Sequence, residues 1–179
     1  MADSSPTIEL SRSELREVTR YAAACAHTAL AIFEGECPGD GRPRAAIEAA
    51  LAFADGAERT KLLRDCAWAA HRAAQETRDA GQDAASDAAR AAGNAAGAAF
   101  LHPLPKATQV RHILGSAAHA VRACELAAGG DPVVAAAHLA AVRELASGVV
   151  VEVLRRYPAA PSGGGPVGEV IRRLDASLR

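Results

Sequence analysis

The sequence has no surplus of either charge. Its 20 basic and 21 acidic residues leave a net charge of -1 over 179 residues. Nucleic-acid binding and attachment to an anionic membrane surface both need a basic excess, so neither class of partner is expected. No segment reaches the roughly 18 uninterrupted apolar residues of a membrane span. The N-terminal Met-Ala-Asp-Ser-Ser-Pro lacks the cationic-then-apolar order of a secretory signal, so the chain reads as cytoplasmic. Cys25, Cys37, Cys66 and Cys124 show no C-x-x-C spacing, which fits reduced thiols in an intracellular chain.

Large apolar side chains are scarce too. Leu, Ile, Val and Phe total 35, whereas alanine alone supplies 46 residues. So thin a core approaches the composition of disordered chains, but those also carry high net charge. Strand signals are missing, because β-branched and aromatic residues never alternate at period two, while alanine has the highest helix propensity. The expected fold is an all-α, single-domain bundle of about six or seven Ala-rich helices.

Punctuation residues divide the chain. Ser11 and Glu14 stand at capping-box spacing, flanked by Leu10 and Leu15 at staple positions, and open a helix over 11–34. Pro43 suits the first position of a helix over 43–55. A third helix spans 58–79, with Leu62, Cys66, Ala69, Ala70 and Ala73 as its expected inward stripe and Trp68 as its large apolar anchor. The fourth, 83–101, is almost all alanine, and Gly93 and Gly97 suggest a close helix crossing. Helices over 106–129 and 132–156 follow, the latter capped by Asp131 and carrying a potential break at Ser147-Gly148. The bundle is expected over 1–157. A Pro/Gly-rich linker over 158–166 then leads to a helix over 167–179 that docks on it, with Val170, Ile171 and Leu174 inward and Asp175 outward.

Histidine placement is the most suggestive chemical pattern. His27, His71, His119 and His138 each follow an alanine, on four different helices. Each fits a hydrogen-bonded, half-buried ring at a core margin; together they also fit a shared polar pocket. In the pocket reading Asp65, Trp68, His71 and Arg72 are neighbours along one side of the third helix, and His112 and His119 lie two turns apart on the fifth. No histidine has a second His, Cys, Asp or Glu three or four residues away, so no metal site is expected. Gly-x-Ser-x-Gly is absent, and Gly163-Gly164-Gly165 lacks the strand and the Lys-Ser/Thr of a phosphate loop, so no cofactor is expected. Arg20, Arg44, Arg64, Arg72, Arg90 and Arg122 lie near apolar stripes, where a guanidinium can grip a carboxylate, sulfate or phosphate. Arg44 with Glu48, Lys61 with Asp65 and Arg72 with Glu76 are spaced for local pairs.

Several strings are more specific than composition alone. They are Tyr21-Ala22-Ala23-Ala24-Cys25-Ala26, Arg42-Pro43-Arg44-Ala45-Ala46-Ile47, Trp68-Ala69-Ala70-His71, Leu101-His102-Pro103-Leu104, Lys106-Ala107-Thr108-Gln109-Val110 and His112-Ile113-Leu114-Gly115. Through them most of the chain resembles the actinobacterial immunity-5-like family, whose members often carry an exonuclease label. The resemblance implies an all-α protein that binds and neutralises a toxin; it brings no catalytic motif. A nuclease is not expected, since metal-binding carboxylates do not cluster and a phosphate loop is missing.

Three classes follow from these readings. The first is an immunity-type protein with a toxin as protein partner. The second is a helical enzyme or small-molecule binder of specialised metabolism acting on a small anionic metabolite by elimination, intramolecular substitution or acid/base chemistry. Its catalytic candidates are His71, Asp65 and His119, with Trp68, Arg72, Arg44, His27, His112 and His138 as ligand-binding candidates. The third is a structural subunit. A closed polar cavity would favour the second; a filled interior with an exposed apolar or charged patch would favour the first.

Overall fold

The computed structural model describes residues 7–179; the N-terminal hexapeptide on which the absence of a secretory signal is read lies outside them. Among the described residues there are no strands, and the helices are α1 (Arg12–His27), α2 (Leu30–Glu36), α3 (Arg42–Ala54), α4 (Lys61–Asp79), α5 (Asp83–Ala98), α6 (Val110–Ala127), α7 (Pro132–Glu144), α8 (Gly148–Arg155) and α9 (Gly165–Leu178). A 3-10 turn at Ala107–Gln109 leads into α6. Nine helices stand where six or seven are expected, because two long helices are each broken. At the first break the Thr28 hydroxyl donates to the Cys25 carbonyl at 2.7 Å, competing with the backbone for that acceptor. At the second, Ser147 caps a new helix by accepting from the Val150 N–H, and α8 leaves α7 at 95°. No single helix among the described residues is long and apolar enough to cross a membrane.

Helix α5 lies at the centre, packed by α1, α2, α3, α4 and α6. Its buried positions carry only Ala, Ser86 and Gly93. Such small side chains lose little or no rotamer freedom on burial and let neighbouring helices come close on several sides. Larger apolar groups fill the remaining space from the surrounding helices: Val18, Phe33, Ile113, Leu114, Val153 and Leu154 are all fully buried. Each contributes about 1.5–3 kcal/mol of transfer free energy. Ser116 of α6 ties the centre together, its hydroxyl lying 2.6 Å from the Ala22 carbonyl of α1 and 2.9 Å from the Ala91 carbonyl of α5.

The inward face of α4 differs from the expected stripe. Leu63, Ala67, Ala70, Ala73, Ala74 and Thr77 are buried, while Leu62 is exposed and Trp68 is 61% exposed. A tryptophan turned inward would hold α4 away from the alanine surface of α5, so small residues take the interface and the indole stays outside.

The C-terminal segment is held by Asp175, expected on the outer face but only 3% exposed. Its carboxylate accepts the Ala160 N–H at 2.9 Å and the Arg179 Nε at 2.7 Å, fastening the preceding segment and the chain end to α9. Val170, Ile171 and Leu174 are buried as expected, and α9 packs on α6 and α7. The glycine run is a defined turn with positive φ at Gly163, Gly164 and Gly165. A Cβ on Gly168 would meet the Gly163 carbonyl oxygen at 2.0 Å, so the turn closes tightly over the first turn of α9.

Candidate functional site

Two open clefts border α5 and α6. The first, about 350 Å³, is lined by Arg64, Trp68 and His71 of α4, by Gly97, Phe100 and His102 at and beyond the end of α5, and by His112 of α6. Trp68 and His71 stand one turn apart and meet edge-on, with centroids 6.3 Å apart. One turn before Trp68 on α4, the Arg64 guanidinium lies over the Phe100 ring, 4.9 Å from its centroid. His112 Nδ1 lies 3.3 Å from the Gly97 carbonyl, the acceptor that places the proton on that nitrogen.

The second cleft, about 420 Å³, lies between α5, α6 and the start of α9. Asp87, Arg90 and Asn94 face it from α5, Arg111 and His119 from α6. Asp87 Oδ1 accepts from His119 Nδ1 at 2.6 Å, which fixes the ring's orientation. His71 lies between the clefts. Its imidazole packs where Gly93 has no side chain. Burial, then the charges of Arg90 and His119, hold its pKa below the ordinary value. Burial likewise lowers His112, against the opposing effect of its hydrogen bond to the Gly97 carbonyl.

The structure thus gathers His71, His112, His119 and Trp68, and separates the remaining candidates from them. His27 is exposed at the end of α1, and His138 is half-buried on α7; neither lines these clefts. Asp65 is taken by Lys61 at 2.6 Å on the outer side of α4. Arg44 pairs with Glu34 through two hydrogen bonds of 2.7 and 2.8 Å instead of with Glu48. Arg72 is exposed, and the Glu76 expected beside it binds Arg42 of α3, which also holds Asp40. The local Lys61–Asp65 pair thus forms as its spacing predicts, whereas Arg44 and Glu76 each take a partner from another helix in place of the local one.

Four contributors escape the sequence reading: Phe100, His102, Asn94 and Arg111. Asp87 is also missed as the partner of His119. A signal for some of them exists, since Asp87, Arg90, Asn94 and Gly97 recur at helical spacing along an otherwise alanine-dominated α5. The close helix crossing expected at Gly93 and Gly97 is instead a side-chain seat at Gly93 and open cleft wall at Gly97, where no atom lies within 4 Å of a built Cβ. No three His, Cys, Asp or Glu among the described residues are grouped as a metal ion would require.

The family model described as Imm-5 like putative immunity protein matches residues 9–148, a stretch that runs from before α1 through the end of α7. No curated protein and no solved structure matches the chain.

Proposed function

The chain belongs to the Imm-5 like putative immunity protein family, and from that premise we propose that it binds and neutralises a partner toxin through the face around Trp68. The observation that carries this reading is the exposure of the indole beside an open, largely apolar cleft. Of the large apolar side chains exposed among the described residues, Trp68 is the only aromatic. Tryptophan and arginine are the residues that most often anchor protein interfaces, and Arg64 stands next to the indole on the same cleft wall.

The interior supports the same reading. Alanine and larger apolar side chains fill the space around α5, and both clefts open to solvent, so their polar groups line a surface. A fitting toxin surface places an apolar side chain against Trp68 and Phe100 and a carboxylate near Arg64. With near-zero net charge, shape and this local patch determine partner choice, while long-range steering contributes little.

Growth protection tests the proposal. Each candidate toxin among the products of the neighbouring genes is expressed with the wild-type chain or with Trp68→Ala, and the fold of the variant is verified by circular dichroism. Protection by the wild type and its loss in the variant are expected; equal protection by both, or none by the wild type, contradicts the proposal.

A further inference from the structure

The second cleft has a different chemistry from the Trp68 face, and nothing in the toxin reading uses it. Many arginines elsewhere are engaged: Arg20, Arg122, Arg156 and Arg179 each hold a carboxylate, whereas Arg72 and Arg173 are exposed to solvent without an ion pair among the described residues. Arg90 and Arg111 make no ion pair and no hydrogen bond among the described residues, yet both line this one cleft. Arg90 is half-buried on α5, so its guanidinium is partly withdrawn from water without a compensating anion.

We propose that the cleft between α5, α6 and the first turn of α9 is a binding site for an oxyanion, a phosphate or carboxylate borne by a small molecule. Two guanidinium groups on facing helices present planar donor forks, the geometry suited to either oxyanion. Asn94 adds an amide donor. His119 has its Nδ1 committed to Asp87 at 2.6 Å, which leaves Nε2 as its free nitrogen and engages the one carboxylate in the cleft. The volume, about 420 Å³, falls in the range of about 300–1,000 Å³ typical of small-molecule pockets and exceeds what a bare ion fills.

Glycines keep the cleft open where side chains would close it. A Cβ on Gly115 would press on the Asn94 Nδ2 at 3.2 Å, and one on Gly164 would approach the Arg111 Nη2 at 3.3 Å. Gly164, Val167 and Gly168 form the third wall, which belongs to the part of the chain beyond the family match. The start of α9 adds a weak preference for negative charge; the guanidinium pair supplies the main attraction. The site is independent of the toxin reading, since Trp68 does not line it.

Titration of the full chain with inorganic phosphate and, separately, with citrate tests the site, followed by NMR of the histidine ring protons and by calorimetry. Saturable binding of at least one anion that shifts His119 is expected. Arg90→Gln and Arg111→Gln should each weaken it about tenfold or more, while Arg173→Gln, away from the cleft, leaves it unchanged. A response to phosphate alone identifies a phosphorylated ligand, and a response to citrate alone a carboxylate; either supports the site. No saturable binding of either anion, or equal weakening by Arg173→Gln, overturns it. Melting temperatures of all three variants ensure that loss of fold is not read as loss of binding.

Discussion

A Cβ placed on Gly93 would lie 2.8 Å from both Cε1 and Nε2 of His71, so the imidazole of α4 occupies the space a side chain on α5 would take. Two effects oppose each other at this position. Alanine in a helix interior gains about 1 kcal/mol over glycine, whereas overpacking a filled site costs about 1–3 kcal/mol. Gly93→Ala should therefore destabilise the wild type by roughly 1 kcal/mol, net of those two effects, and should stabilise a His71→Ala background. Urea unfolding of the four proteins checks the change of sign. The same effect in both backgrounds would show that the ring and the glycine do not compete.

The two lowered histidines make stability depend on pH near neutrality. His71 and His112 are neutral in the fold and more easily protonated in the unfolded chain, where imidazole titrates near 6.5. Between the lowered folded values and 6.5 the unfolded state binds more protons, so stability is complete above about 6.5 and falls as the pH drops through the folded values. The double variant His71→Gln/His112→Gln should flatten that decline, as measured by denaturant midpoints across the window. An unchanged slope would place the titrating groups elsewhere.

Glu14 acts in a separate, more acidic window. Its carboxylate accepts the Ser11 N–H at 2.8 Å and the Arg156 Nη2 at 2.6 Å, closing the α1 capping box and linking α1 to the end of α8. The Arg156 hydrogen bond, then the Ser11 N–H, hold its pKa at about 2. Stability from this group is present above about 4.5 and is lost as the pH falls toward 2. Glu14→Ala should cost about 1 kcal/mol at pH 7 because the pair is partly solvent-screened. The difference from wild type should vanish at the acid end of the curve, and its persistence there would argue against a charge effect.

Asp175 predicts a local opening. With its carboxylate removed, the Ala160 N–H loses its partner and Arg179 keeps only its bonds to the Tyr157 and Pro158 carbonyls. Asp175→Ala should cost about 1–3 kcal/mol and should raise amide exchange in α9 well before α5. Uniform exchange across the molecule would show that α9 does not open by itself.

The sequence speaks most clearly where a signal is local. The Ser11–Glu14 box, the Asp131–Pro132 helix start and the Val170, Ile171, Leu174 stripe all need only neighbours along one helix, and the structure has each of them. Long-range pairing is where local spacing misleads. Arg42 takes Glu76 from Arg72, and Glu34 takes Arg44 from Glu48, because α3 lies against α4 and beside the end of α2. Alanine abundance hides the buried face as well: with Ala on most sides of α4, Leu62 and Leu63 are equal choices until α5 selects the second. The histidine pattern points to α4 and α6 but cannot separate His71, His112 and His119 from His27 and His138, whose difference is one of helix position in three dimensions.

Calorimetry between the purified chain and the toxin identified by growth protection measures the Trp68 interface itself. Stoichiometric binding by the wild type is expected, together with a loss of about 2 kcal/mol or more, roughly thirtyfold, in Trp68→Ala at unchanged melting temperature. Equal affinity of the two proteins, or no binding by the wild type, would contradict an immunity function exercised through the α4–α6 face.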